Sequence, residues 1–133
     1  MTATVLLVDD SQMVRRLVGQ ALRAEGFNVV EAADGLLALA QQAATPADIV
    51  LCDINMPNMN GIEFLQALRA PPHNSTVPVV FLTTKGQLDL VGVAKGLDAK
   101  GWLLKPVKPA LVVATVSAIL AESASPTQAA SNQ

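Results

Sequence analysis

Four short apolar runs, at 5–8, 49–52, 79–82 and 102–104, each stop abruptly at polar residues: Asp9-Asp10, Asp53, Thr83-Thr84 and Lys105-Pro106. A fifth strand candidate lies at 28–32. Between the runs, apolar residues recur at helical spacing. Val14, Leu17, Val18, Ala21 and Leu22 follow Ser11, which stands where a helix N-cap would, and Gly26 closes the segment. Asp34 is placed to cap a short helix over 35–42. Pro46 breaks the chain before the 49–52 run. A loop rich in Pro, Asn and Gly, 55–61, leads into a helix through Phe64, Leu65 and Leu68 that Pro71-Pro72 ends. Residues 88–97 read as a helix, although Gly92 costs it about 1 kcal/mol relative to Ala. Pro109 suits the first turn of a last helix running to about residue 122. Five strand–helix units in strict alternation predict an α/β domain: a parallel sheet, right-handed crossovers and helices on both faces.

The composition agrees. Apolar residues make up 51% of the chain, which a sheet covered on both faces accounts for, because its strands carry apolar side chains on both sides. A chain of 133 residues fits one domain, expected here over 1–122. The remainder, 123–133, is rich in Ser, Ala and Gln and is expected to be disordered. With 9 basic and 11 acidic residues, the net charge of −2 offers no general field for nucleic acid or an anionic membrane. No stretch has the length of a membrane span, and the start of the chain does not read as a signal peptide. One cysteine excludes an internal disulfide, and one cysteine with one histidine argues against zinc. Cys52 reads as an inert buried thiol and His73 as an exposed loop residue. Met56 and Met59 read as packing residues.

The chemistry is expected at one rim. Ligands of open parallel sheets bind beyond the carboxyl ends of the strands. Asp9, Asp10, Asp53, Thr83 and Lys105 all end strands, so three carboxylates, a hydroxyl and an ammonium should converge. Clustered carboxylates repel one another, and a divalent cation removes the conflict. Oxygen ligands with room for water suit Mg²⁺. A carboxylate beside such an ion can attack a phosphoryl group and form an acyl phosphate. Lys105 and the Thr83 hydroxyl would then meet phosphoryl oxygens as a point charge and a hydrogen-bond donor.

The segments VLLVDDS, LCDINMPNMNGIEFL, PVVFLTT and GWLLKP resemble receiver domains of two-component signalling, and among these the stand-alone receivers of the chemotaxis type. The resemblance covers residues 4–122. It implies a flavodoxin-like, doubly wound, five-stranded sheet of order 2-1-3-4-5 with five helices. By the same resemblance Asp53 is the phosphoacceptor and, with Asp9, Asp10 and the backbone carbonyl of Asn55, a Mg²⁺ ligand. Thr83 turns toward the phosphoryl group, Lys105 pairs with it, and the Lys105–Pro106 bond is cis. Trp102 stands where the family places its switch aromatic, coupling the site to the face formed by helix four, strand five and helix five. The implied partners are a histidine kinase or phosphotransfer protein and a downstream protein. No nucleic-acid binding is expected, and the implied state is a cytoplasmic monomer or weak dimer. Three departures stand out. Thr84 replaces the family's small residue and would narrow the path to Asp53, Trp102 is bulkier than the family's more usual Tyr or Phe, and Asn60 replaces a common Asp.

Two competing functions are weaker. A Mg²⁺-dependent phosphatase with an aspartyl nucleophile needs a second carboxylate two residues later, where this chain has Asn55. The chain is therefore not expected to be an enzyme beyond promoting its own phosphorylation and dephosphorylation. A structural module with a dead site conflicts with the intact set of five residues. A phosphate sink is not separable from a switch at this level. The uncharged stretch 110–121 of the last helix is expected to present an exposed apolar patch for a partner or a second copy.

Overall fold

The computed structural model describes residues 2–87 and 89–124. Its elements follow the alternation: β1 (Thr4–Val8), α1 (Gln12–Ala24), β2 (Asn28–Ala32), α2 (Gly35–Ala44), β3 (Ile49–Asp53), α3 (Gly61–Arg69), β4 (Val79–Thr83), α4 (Leu90–Gly96), β5 (Gly101–Leu104) and α5 (Pro109–Ala124). All four strand pairings are parallel, and the order is β2-β1-β3-β4-β5. The inner strands β3 and β4 are buried along their whole length. Period-2 alternation sends their side chains to two cores. Leu6, Val8, Val50, Cys52, Val79 and Phe81 meet α2 and α3 on one face. Val5, Leu7, Leu51, Val80 and Leu82 meet α1 and α5 on the other.

The helix starts have local causes. The Ser11 hydroxyl accepts from Val14 N–H at 3.2 Å, and Asp34 Oδ1 accepts from Leu37 N–H at 2.8 Å. Asn60 and Glu63 exchange hydrogen bonds of 2.8 and 2.9 Å with each other's backbone N–H, a capping box that opens α3. Gly26 closes α1 at φ 94°, where an L side chain would be strained. The two edge strands differ. Glu31 on β2 pairs with Arg15 and Arg23 of α1 at 3.1 and 3.2 Å. β5 is four residues long and carries the half-exposed Trp102 and Leu104.

Three expectations need adjustment. The fourth helix starts at Leu90, after a 3₁₀ turn over Lys85–Gln87. Gln87 Oε1 accepts from Thr84 N–H at 2.9 Å, so the chain makes a capped turn there before the helix proper. The last helix runs to Ala124 and takes in the first two residues of the expected tail; the rest of that tail, 125–133, lies outside the described residues. Its apolar stretch is not a free patch: Val112, Val116 and Ile119 are buried against the sheet, and the exposed large apolar residue of α5 is Leu111. No helix among the described residues is long and apolar enough to cross a membrane.

Candidate functional site at the carboxyl rim of the sheet

Parallel pairing brings the strand ends to one rim. Asp9 and Asp10 follow β1, Asp53 ends β3, Thr83 ends β4 and Lys105 follows β5. Asp9, Asp53 and Thr83 are buried, Lys105 is half-buried and Asp10 is exposed. One carboxylate oxygen from each of Asp9, Asp10 and Asp53 lies within 4.8 Å of the others. The Lys105 ammonium reaches across this group, 2.9 Å from Asp9 Oδ2 and 3.3 Å from Asp53 Oδ1. The Lys105–Pro106 peptide is cis.

The backbone holds these side chains from below. Asp9 N–H donates to Ala32 O at 3.1 Å, and Ser11 N–H donates to Asp9 Oδ1 at 2.8 Å. The Arg15 guanidinium donates to the Asp9 carbonyl. Lys105 N–H donates to Thr83 O at 2.6 Å, tying the fifth strand end to the fourth. Gly61 N–H donates to Ile54 O at 2.8 Å. A Cβ on Gly61 would run into the Asp53 carbonyl and lie 2.9 Å from Phe81 Cε1, so α3 begins directly on the backbone of Asp53. That close approach is what requires a glycine here.

The electrostatics show a site short of positive charge. Burial pushes the Asp53 carboxyl above its ordinary value and the Asp9 charge adds to the rise, while Lys105 and the Asn55 N–H pull only partly against them. Lys105 moves up: burial opposes its charge, but the hydrogen bonds and charges of Asp9 and Asp53 outweigh it. The Thr83 hydroxyl is buried, with no hydrogen-bond partner among the described residues. Three oxygen ligands in one cluster with a raised carboxylate among them fit a hard divalent cation.

The remaining residues sit around this rim. Asn55 is exposed in the loop after Asp53, and Thr84 is exposed after Thr83. Trp102 is 39% exposed and lies in register with Phe81. Cys52 is buried in β3 and His73 is exposed, as expected. Met56 is buried and Met59 packs against the same core. Sequence reading did not find Arg15, whose contact with the Asp9 carbonyl leaves no local signal. It also missed the second role of Asp34, whose Oδ2 accepts from Asn58 Nδ2 at 2.8 Å.

Comparison with known proteins gives a family. The response regulator receiver domain model matches residues 5–117. The DNA-binding response regulator MtrA of Mycolicibacterium paratuberculosis is 39% identical over 122 residues, covering 90% of this chain and 52% of the relative. The chain thus spans about half the length of the curated relatives it matches. The chemotaxis response regulator CheY4 of Vibrio cholerae superposes with a TM-score of 0.82 at 36% identity, covering 90% of this chain and 99% of that one. A CheY-like receiver domain protein from Methanospirillum hungatei JF-1 gives 0.83 at 26% identity, with 92% and 96% covered. With its strand order, its acidic rim and these matches together, the chain belongs to the response regulator receiver domain family.

Proposed function

We propose that the chain is a phosphorylation switch: Asp53 takes a phosphoryl group from a phosphohistidine of a histidine kinase or phosphotransfer protein, in a Mg²⁺-dependent reaction. The observation that carries this reading is the convergence of Asp9, Asp10 and Asp53 with Lys105 lying across them. The Asp53 carboxylate attacks phosphorus, an O–P bond forms and the donor's P–N bond breaks. Asp9, Asp10, Asp53 and the Asn55 carbonyl would hold Mg²⁺. When bound, the ion offsets the charge of the carboxylates and of the phosphoryl oxygens. Lys105 meets one phosphoryl oxygen as a fixed positive charge. The buried Thr83 hydroxyl would donate to a phosphoryl oxygen when the group arrives.

The chain acts on its own Asp53 and is not a turnover enzyme. Its output is protein binding through the α4–β5–α5 face. Leu90 and Val93 of α4, Trp102 and Leu104 of β5, and Leu111 of α5 are exposed there, and apolar exposure of this kind suits a protein partner. The acidic balance supports a protein rather than nucleic acid as that partner. Likeness to a chemotaxis response regulator supports a signalling output of that kind.

The test is incubation with acetyl phosphate, with and without Mg²⁺, read by intact mass. A single phosphoryl adduct that requires both Mg²⁺ and Asp53 is expected. An adduct that persists in Asp53→Asn would remove Asp53 as the acceptor, and no adduct under rapid quenching would leave a dead-site module.

A further inference from the structure

The loop over 54–60 carries Asn55 and connects Asp53 to α3, and it is held on two sides. On one side Gly61 closes it against β3. On the other it leans on the start of α2. Gly35 N–H donates to Met59 O at 3.1 Å. A Cβ on Gly35 would come within 2.7 Å of Met59 Cγ and 2.8 Å of Met59 O, so the loop backbone rests directly on that glycine. Asn58 sits in the left-handed region at φ 67°, and its side-chain amide donates to Asp34 Oδ2 at 2.8 Å. The other oxygen of Asp34 caps α2 through Leu37 N–H. One carboxylate therefore serves two elements, the helix with one oxygen and the loop with the other.

We infer that Asp34 is a positioning residue for the cation site: through Asn58, and beside the Gly35–Met59 bond, it fixes the loop that presents Asn55. This rests on the proposed role of Asp53 and Asn55 as ligands. Mg²⁺ demands near-ideal geometry, so a carbonyl donor on a loose loop binds poorly. Only Pro57 and Met56 separate Asn55 from Asn58, and Pro57 has a fixed φ, so an anchor at Asn58 restrains the Asn55 carbonyl through a stiff segment. The anchor is a charge-assisted hydrogen bond, the stronger kind. Partners that orient ligands from behind in this way change metal affinity by about 10–100-fold when removed.

Two substitutions in the full chain separate positioning from simple support. Asp34→Ser keeps an N-cap but loses both the charge and the second carboxylate oxygen that accepts from Asn58. Asn58→Gly keeps the left-handed conformation and removes the donor. Mg²⁺ affinity is measured by calorimetry, loop order by amide exchange over 55–59 without metal, and fold by melting. Each variant is expected to weaken Mg²⁺ binding about tenfold and to speed exchange in the loop. The double variant should be no weaker than the poorer single one, since both break one bond. A lower melting temperature with Mg²⁺ affinity within about twofold of the starting chain, in both variants, would reduce Asp34 to a helix cap and overturn the inference. Failure of the unsubstituted chain to bind Mg²⁺ would instead remove the metal reading, and this inference with it.

Discussion

Asp34 and Asp53 are almost equally covered, at 6% and 5% exposure, yet they are held in opposite directions. The Asp34 carboxyl lies below its ordinary value because Leu37 N–H and Asn58 Nδ2 donate to it, against a smaller opposing effect of burial. The Asp53 carboxyl lies above its ordinary value because burial and the neighbouring Asp9 charge outweigh Lys105. A similar small exposed area therefore does not mean a similar depth: loss of water is a minor effect at Asp34 and the leading one at Asp53. Donors satisfy Asp34 and make it a fixture, while the shortage of them at Asp53 leaves a carboxylate that gains from an incoming cation.

The largest expected test of this contrast is metal. At about 100 times its Kd, Mg²⁺ should stabilise the chain by about 2.7 kcal/mol, seen as a raised Tm. Asp34→Ser should keep a reduced share of that gain at equal Mg²⁺ concentration, and Asp53→Asn should keep little of it. An equal gain in Asp53→Asn would place the cation elsewhere.

Without metal the same two positions should respond with opposite signs. Asp34→Ala should cost about 1–2 kcal/mol in urea unfolding, the loss of a helix cap. Asp53→Asn should stabilise the metal-free chain, because it removes a buried charge while Asp9 keeps its 2.9 Å pair with Lys105. The pH dependence sharpens this. Asp34, depressed in the fold, contributes stability above the ordinary aspartate value of about 3.8, and that contribution is lost as pH falls through its folded value. Asp53, raised in the fold, binds its proton more tightly folded than unfolded, so its contribution falls as pH rises from about 3.8 through its folded value. Urea midpoints between about pH 3 and 6 for the two variants should therefore deviate from the starting chain with opposite slopes. Parallel curves would refute the contrast.

The smallest effect concerns access. Thr84→Ala should speed phosphorylation of Asp53 by small donors a few-fold, measured from adduct formation against time. Unchanged rates would mean that Thr84, exposed and turned into the Gln87 turn, does not narrow the path.

How much of this was legible depends on how local its cause is. The strands were readable because each apolar run ends at a polar residue such as Asp53 or Thr83, and the rim followed from parallel order. The caps at Ser11 and Asp34 were readable because their partners lie three residues on. The start of α4 was not read, although Thr84 and Gln87 carry the spacing of a capping box and could have marked the turn. The apolar α5 was misjudged because composition does not say which side of a helix packs, and only β-sheet neighbours decide that Val112, Val116 and Ile119 go inward. The bond from Asn58 to Asp34 spans 24 positions. Nothing in either segment signals it until the folded sheet sets α2 beside the loop.

The two margins of the sheet have a consequence for recognition. At β2 the open backbone edge is flanked by the Arg15–Glu31–Arg23 charges, which an added strand would have to strip of water. At β5 the open edge is four residues long and is followed by Pro106, which offers no N–H to a ladder. Charged flanks at one margin and a short strand before a proline at the other are features that disfavour the addition of a further strand.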